Sequence, residues 1–240
     1  MNLNLYPMIF KRKSFHVLKN IGETKITEEE LDDILEAFKT FEPLVDHIKV
    51  ELKVEDKQGG ILGQEYSLAL YSEVKDHYLE NIGYLGEQLD LYCVSKNIGT
   101  LWFGLGVAEK KQWNNLDYVI KIVIRKVDDE TKFRTDMFSV KRKPLEEMWH
   151  GDFFQSIGNI VRFAPSAVNS QPWMVEASQH ELKVSRVSTF VSKFHNFNRV
   201  DMGIFLCFLE LCLSHENISF TRELYQDEYV YKVGEKNVDE

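Results

Sequence analysis

The chain has few of the residues from which metal centres and disulfide frameworks are built. Its 240 residues include only three cysteines, without a C-x-x-C pair, and no histidine cluster with metal-ligand spacing. An odd cysteine count without a framework is typical of a reducing compartment. Cys93, Cys207 and Cys212 lie in apolar stretches that predict helices. We therefore expect small buried side chains rather than catalytic thiols, and no metal site.

Positive charge and long apolar runs are also scarce. The net charge of -9 argues against nucleic acid or an anionic membrane as the main partner. Residues 202–213, the longest apolar stretch, are too short to span a bilayer. Residues 1–10 contain no long apolar run before a small-residue cleavage site, so we expect a cytoplasmic protein. The composition, 44% hydrophobic and 28% charged, is that of a globular protein with a substantial core.

Two segments half a chain apart share one pattern. Without a gap, the aligned pairs are Gly83 with Gly203, Leu89 with Leu209, Asp90 with Glu210, Leu91 with Leu211, Asn97 with Asn217 and Ile98 with Ile218. Both segments are apolar nearly all round, which predicts buried helices. A basic triplet and a Phe-x-Pro sequence precede the glycine in each copy, in the same order. We interpret the chain as a tandem duplication, about 1–126 and 127–240, whose glycine-bearing helices pack together across a pseudo-twofold axis.

Local signals outline the elements of each half. Thr27 and Glu30 form a capping-box sequence, and Ile26 with Leu31 supplies its hydrophobic staple. Helices are predicted over 75–97, 152–163 and 200–216, and strands over 48–54, 65–72, 118–126, 173–177, 182–187 and near 229–233, with a turn at Gly59-Gly60. Helices interleaved with few strands predict an α+β fold with helices on both sheet faces, a layered α/β/α arrangement.

The segment with the most specific chemistry is 164–173, A-P-S-A-V-N-S-Q-P-W. Pro165 stops the preceding helix, and Ser166, Asn169 and Gln171 then place hydrogen-bonding groups on a rigid turn. Such a turn suits a planar ligand whose edge carries alternating hydrogen-bond donors and acceptors. Composition alone nevertheless favours an ordinary helix-to-strand loop in which Ser and Asn bond their own backbone.

This segment resembles the A-P-S-A-x-N-x-Q-P-W signature of the FMN-dependent nitroreductase superfamily. Arg12-Lys13-Ser14-Phe15-His16 resembles the family's R-x-S-x-[RK] element. Residues 97–105, N-I-G-T-L-W-F-G-L, are similar to its G-L-G-T-x-W-I-G stretch, and residues 141–147, K-R-K-P-L-E-E, to its R-K-P-L-E-E element. The chain lacks a dinucleotide fingerprint, since Gly104-Leu105-Gly106 has no third glycine, as expected if NAD(P)H binds only transiently.

The order of these elements departs from the single-protomer pattern. In the family's dimer, flavin takes the R-x-S and G-T-x-W elements from one subunit and the P-S-x-x-N loop from the other. Here the first half of the chain carries the former and the second half the latter. The chain is therefore similar to the TM nitroreductase subgroup, in which the fold is duplicated, and we expect a monomeric pseudo-dimer that could associate further.

The resemblance implies one FMN and a set of residues that bind it. Arg12 and Arg142 would hold the phosphate, helped by Lys13 and Ser14. His16 stands where the family has Arg or Lys near the pyrimidine end, where positive charge favours the reduced ring. The complete expected set is Arg12, Lys13, Ser14, His16, Trp102, Phe103, Gly104, Leu105, Arg142, Pro165, Ser166, Ala167, Asn169 and Gln171.

Structural roles without a ligand stay open for some of these residues. Arg12 and Lys13 would also suit a solvated basic face, and Trp102 would suit the core. The counterpart of the loop, Pro43-Leu44-Val45-Asp46-His47, lacks the Ser and Asn, and Arg222 stands where the first half has Trp102. We therefore expect a single flavin site.

The resemblance implies an NAD(P)H-dependent oxidoreductase that passes electrons through flavin to a nitroaromatic, quinone or similar small acceptor. No side chain need act as acid or base, so no catalytic residue is assigned. The alternatives are a flavin-binding protein without turnover, a purely structural pseudoenzyme, and non-nitro flavin chemistry such as dehalogenation or flavin breakdown.

Overall fold

The computed structural model of the chain describes residues 1–56, 60, 62–187 and 195–236. The helices in this part are α1 (Tyr6–Lys11), α2 (Glu28–Lys39), α3 (Tyr78–Ser95), α4 (Gln155–Val161) and α5 (His195–His215). The strands are β1 (Val50–Asp56), β2 (Tyr66–Ser72), β3 (Ile98–Trp102), β4 (Gln112–Trp113), β5 (Leu116–Lys126), β6 (Trp149–His150), β7 (Trp173–Ala177), β8 (Glu181–Arg186), β9 (Ile218–Leu224) and β10 (Glu228–Lys236).

Two five-stranded sheets share one strand order. The first runs β1-β2-β5-β3 with β4 paired to β5, and the second runs β6-β7-β8-β10-β9. Neighbours along β1-β2-β5-β3 and along β7-β8-β10-β9 are all antiparallel, while the short β6 lies parallel to β7. The fold is therefore α+β as predicted, and the repeated topology supports the duplication that we infer from the sequence.

Helices α3 and α5 pack against each other in the centre of the molecule. Residues 79–91 of α3 and 200–213 of α5 are buried without interruption, as their all-round apolar sequences predict. Cys93, Cys207 and Cys212 are free and buried within these two helices, which confirms them as core side chains. Within the described ranges, no helix combines the length and apolar character needed to cross a membrane.

The capping box at the start of α2 is confirmed. The Thr27 Oγ1 accepts from the Glu30 backbone N–H at 3.2 Å, and the Thr27 N–H donates to Glu30 Oε2 at 3.0 Å. Ile34 and Phe38 on the inner face of this helix are buried. The sequence thus places the start of α2 correctly, although the helix ends at Lys39, before the predicted stop near Pro43.

Other boundaries differ from the sequence prediction. Helix α3 begins at Tyr78 and α4 at Gln155, because His77 and Phe154 adopt left-handed backbone conformations with φ of 64° and 56°. The predicted helix over 152–163 is accordingly shorter at both ends. The predicted turn at Gly59-Gly60 lies partly outside the described residues, since Gly59 is not among them.

Strands β3 and β9 are absent from the sequence prediction. Each follows a left-handed asparagine, Asn97 with φ 57° or Asn217 with φ 55°, in the position where a helix commonly ends. Both strands are short, and each pairs along one edge with a longer strand, β5 or β10. Such strands are defined by their long-range partners, so the local pattern alone does not reveal them.

Candidate functional site

A cavity of about 740 Å³ opens between the two halves of the chain. Its wall combines the segment after α1, the end of β3 with the loop that follows, the residues 165–169 and the first turns of α5. All of the expected site residues line this cavity except Lys13 and Gln171. The volume lies within the range of roughly 300–1,000 Å³ typical of small-molecule and cofactor pockets.

The segment after α1 lies beside β3 in extended form. Ser14 forms a parallel bridge with Thr100, and the Phe15 N–H donates to the Thr100 carbonyl at 3.1 Å. Alternate residues of an extended segment point to opposite sides, so Arg12, Ser14 and His16 face the cavity. Lys13 is not among the residues that line the cavity, and its Nζ donates to the Lys132 carbonyl at 2.8 Å, so its role toward a cofactor stays a prediction.

Arg12 is not part of a solvated basic face, because its side chain is 2% exposed. Its Nε lies 2.9 Å from Asp90 Oδ2 and 3.1 Å from Glu87 Oε1. Burial by itself lowers the pKa of the guanidinium, but Asp90 and Glu87 outweigh it and raise that pKa. Burial raises the pKa of Glu87 well above its ordinary value. Nη2 of Arg12, also buried, has no hydrogen-bond partner among the described residues.

Trp102 is held at the cavity wall by the same buried carboxylate. The Trp102 Nε1–H donates to Asp90 Oδ2 at 3.0 Å, and the Thr100 hydroxyl donates to Asp90 Oδ1 at 2.5 Å. The indole lies so close to α3 that a Cβ on Gly86 would come within 2.5 Å of its Cη2. Asp90 therefore connects Arg12, Thr100 and Trp102 into one rigid wall, a link that no local sequence motif indicates.

The second half contributes a tightly wound loop, residues 165–171, which we call the signature loop. Val168, Asn169 and Gln171 have positive φ values of 50°, 56° and 47°. The Ser166 Oγ accepts from the Gln171 backbone N–H at 2.9 Å. The Gln171 side chain donates to the Asn169 carbonyl at 3.2 Å and accepts from the Lys143 N–H at 2.8 Å. Gln171 thus holds the loop in one conformation and is not among the residues that line the cavity, so its role toward a cofactor stays a prediction.

Arg142 fixes the orientation of Asn169 within this loop. Its Nη1 donates to Asn169 Oδ1 at 3.0 Å, while Nη2 lies 3.3 Å from the Phe163 carbonyl. The buried Nε of Arg142 has no partner in the part of the chain that the structure describes. Burial, followed by repulsion from Arg12, Arg134 and Arg162, lowers the pKa of Arg142 to about 10.

Arg134 is a cavity residue that the sequence analysis missed. Burial, together with repulsion from Arg12, lowers the pKa of its guanidinium to about 10. Its side chain has no hydrogen-bond or ion-pair partner among the described residues. Arg12, Arg134 and Arg142, which we call the cation cluster, therefore form a site whose mutual repulsion a bound anion would relieve. No local motif surrounds Arg134, so its sequence offered no signal.

Asp201, near the start of α5, is a second missed residue of the wall. Its Oδ1 accepts from the Ala167 N–H at 2.9 Å, and its Oδ2 lies 3.4 Å from the Ser170 hydroxyl. Burial raises the pKa of this carboxyl to about 7. The sequence does contain one signal for Asp201, because an acidic residue stands at the edge of the apolar run 202–213.

The remaining wall is largely apolar and suits a flat ring system. Phe103, Ile120, Phe197 and Ile204 line the cavity. A Cβ on Gly104 would lie 3.1 Å from the Phe197 ring, so glycine keeps this part of the wall open. At the rim, Leu105 is 81% exposed and Val168 73% exposed, which leaves apolar surface for a ligand to cover.

The equivalent place in the other half is occupied by Arg222. Its Nη1 bonds to Glu210 at 2.7 Å and 2.8 Å, and its Nη2 donates to the carbonyls of Pro43 and Leu44 at 3.3 Å and 3.0 Å. The guanidinium therefore ties β9 to the counterpart loop, whereas Trp102 and the signature loop stand on two sides of a cavity. This difference supports the expectation of a single site.

A family model described as "Putative TM nitroreductase" matches residues 4–213. The chain belongs to this nitroreductase family. A crystal structure described as "a putative nitroreductase" from Thermotoga maritima superposes with a TM-score of 0.66 and 20% identity, covering 95% of this chain and 93% of that chain. Nitroreductase A from Vibrio parahaemolyticus matches with a TM-score of 0.37 and 13% identity, covering 54% of this chain and 69% of that chain. No curated protein matches the sequence.

The fold is accordingly nitroreductase-like over 95% of the chain, in agreement with the resemblance of the four motifs. Membership of a nitroreductase family suggests an oxidoreductase. The motifs that carry the resemblance are also the segments that meet at the cavity.

Proposed function

We propose that the chain is an FMN-dependent oxidoreductase that takes electrons from NAD(P)H and passes them to a nitroaromatic, quinone or similar small acceptor. The observation that carries this proposal is the convergence of three distant segments on one cavity. Residues near Arg12, Trp102 and Asn169 come from both halves of the chain and face the same space. The family's dimer combines its elements in the same way, with one chain here taking the place of two.

The residues present fit the phosphate and the ring of FMN. The cation cluster provides positive charge, including unpartnered N–H groups on Arg12 and Arg142, at a place where an anion would be stabilised. The apolar wall with Trp102, Phe103 and Ile204 suits a planar ring, and Asn169 presents an amide to its polar edge. When bound, FMN supplies the two-electron chemistry between a nicotinamide and the acceptor.

The protein's own contribution is orientation. Asp90 keeps Trp102 and Arg12 in place, and the bonds from Arg142 and Gln171 keep the signature loop in one conformation. A wall held in this way would hold two substrates in turn beside a bound flavin, which lowers the entropic cost of reaction.

A visible spectrum of the purified full-length chain, before and after NADH or NADPH, tests this function. We expect a yellow protein, or one that becomes yellow and retains the colour after addition of FMN and desalting. NADH or NADPH should bleach the colour without air, and p-benzoquinone or nitrobenzene should restore it. A protein that stays colourless with added FMN contradicts the proposal. Bound flavin that neither nicotinamide bleaches would favour a flavin-binding protein without turnover.

A further inference from the structure

Asp201 and Asn81 occupy equivalent positions in the two halves. The alignment that pairs Gly203 with Gly83 pairs Asp201 with Asn81, and each side chain receives the same type of hydrogen bond. The Ala167 N–H donates to Asp201 Oδ1 at 2.9 Å, and the Val45 N–H donates to Asn81 Oδ1 at 3.1 Å. A neutral amide therefore suffices to hold the loop that follows the Phe-x-Pro sequence, and this structural task does not require an acid.

Of the two equivalent positions, the one with the acid lines the cavity and the one with the amide does not. Asp201 lines the cavity. The loop that bonds to Asn81 is instead contacted by Arg222, which donates to the carbonyls of Pro43 and Leu44. A buried carboxylic acid is costly to ionise, and a carboxyl with a perturbed pKa in a cleft is a candidate functional group. The position of Asp201 thus calls for an explanation beyond packing.

We propose that Asp201 is a proton donor to the electron acceptor bound in the cavity. This inference rests on the function proposed above. Reduction of a quinone to a hydroquinone consumes one hydride and one proton. The hydride, which originates from the nicotinamide, brings two electrons and one proton. The Asp201 O–H bond breaks as the second O–H bond of the hydroquinone forms, and water reprotonates the resulting carboxylate.

The surroundings of Asp201 allow it to keep a proton near neutral pH. Burial raises its pKa to about 7, which matches the requirement for a general acid. On α3, the carboxylate of Glu80 is paired with Arg199, and Glu87 and Asp90 face Arg12. The other charged or titratable groups around the cavity are His16, Arg134, Lys141 and Arg142. In the part of the chain that the structure describes, Asp201 accepts hydrogen bonds from Ala167 and Ser170, and neither donor is a cation.

The substitution Asp201→Asn removes the acid and keeps its structural bonds. The amide oxygen accepts from the Ala167 N–H, as Asn81 does for Val45, and the amide nitrogen can donate to the Ser170 hydroxyl. With the FMN-loaded chain, stopped-flow absorbance separates bleaching by NADPH from re-oxidation by p-benzoquinone. We expect unchanged bleaching and re-oxidation slowed by about 100-fold at pH 6. The wild-type re-oxidation rate should fall about tenfold per pH unit above pH 7, whereas that of Asp201→Asn should be flat.

Asn81→Asp is the matched control, because it places an acid at the equivalent position, which does not line the cavity, and it should leave both rates unchanged. A readout independent of turnover is the carboxyl signal in carbon-13 NMR of the chain labelled at aspartate. One carboxyl should titrate near pH 7 in the wild type and be missing from Asp201→Asn. If the wild type turns over and Asp201→Asn re-oxidises equally fast at every pH, this inference fails while the proposed function stands. If NADPH never bleaches the wild type, the proposed function fails and the inference fails with it.

Discussion

Gly83 and Gly203 face each other's helices at the crossing of α3 and α5. A Cβ added to Gly83 would lie 2.0 Å from the Val200 carbonyl oxygen, and one added to Gly203 would lie 1.9 Å from the Glu80 carbonyl oxygen. The two contacts are reciprocal, as expected for an element repeated across a pseudo-twofold axis. Backbone, rather than a flexible side chain, blocks the space in each case, so the helices could accommodate a methyl group only by moving apart.

We expect Gly83→Ala and Gly203→Ala each to lower the free energy of unfolding by about 2 kcal/mol. Overpacking of a filled interface costs about 1–3 kcal/mol, which exceeds the gain of up to about 1 kcal/mol in helix propensity. Urea unfolding followed by circular dichroism measures the difference. Asp32→Ala, on the exposed side of α2, is the control and should change stability by less than about 0.5 kcal/mol. A stabilising Gly→Ala change would mean that the helices do not approach so closely.

Arg134 should contribute to the affinity for FMN through the phosphate alone. A hydrogen bond to a charged group is worth about 1.5–3 kcal/mol, so Arg134→Gln should weaken FMN binding by roughly 10- to 100-fold. Riboflavin, which lacks the phosphate, should bind the variant and the wild type equally. Flavin fluorescence titration of the flavin-free protein measures both affinities. Lys13→Gln serves as the control, because Lys13 points away from the cavity and should affect neither ligand.

Arg222 should be essential to stability because it neutralises a buried carboxylate. Glu210 is 2% exposed, burial raises its pKa, and it also accepts from the hydroxyls of Tyr84 and Tyr231. Arg222→Leu leaves this charge without a cation, and the loss should be about 3 kcal/mol at pH 8. At pH 5 the loss should be smaller, since protonation of Glu210 removes the charge.

The double variant Arg222→Leu with Glu210→Gln tests this explanation. It removes both charges and leaves an acceptor for the two tyrosine hydroxyls. Urea unfolding should show most of the lost stability restored and little dependence on pH. If the double variant is no more stable than Arg222→Leu, the bonds of Arg222 to Pro43 and Leu44 account for the loss instead.

Asp201 should make the stability of the folded chain depend on pH. Its pKa rises from an ordinary value near 3.9 to about 7, so between these values the folded state holds a proton that the unfolded state releases. The free energy of unfolding is therefore highest below the pKa of the unfolded state, near 3.9, and it falls as the pH rises from there to about 7. Between pH 5 and pH 8, the wild type should lose about 2.5 kcal/mol more than Asp201→Asn. Equal pH dependence of the two unfolding free energies would contradict the raised pKa.

Val168 stores strain at the rim of the cavity. It is a β-branched residue at φ 50° and ψ 24°, a left-handed conformation that such residues rarely adopt, although it is 73% exposed and packs little. Val168→Asn should raise the free energy of unfolding by about 1 kcal/mol, because asparagine tolerates this conformation. Chemical denaturation provides the measurement, and a loss of stability would show that the valine side chain is itself stabilising.

The sequence by itself was sufficient wherever neighbouring residues decide the outcome. The Thr27–Glu30 capping box, the buried helices around Gly83 and Gly203, and the order of the family motifs all follow from short stretches of residues. The alternation that turns Lys13 away from the cavity follows from extended backbone, but that backbone conformation depends on the bridge between Ser14 and Thr100. Tertiary structure therefore decides which residues of that motif line the cavity.

Only the tertiary structure decided which residues that are distant in sequence meet at the cavity. Arg134 belongs to no motif, and it joins Arg12 and Arg142 because two halves of the chain meet at the cavity. Asp201 differs from Asn81 in its surroundings rather than in its local bonds. Burial and charge repulsion depend on every neighbour in three dimensions, whereas a linear pattern records only neighbours along the chain.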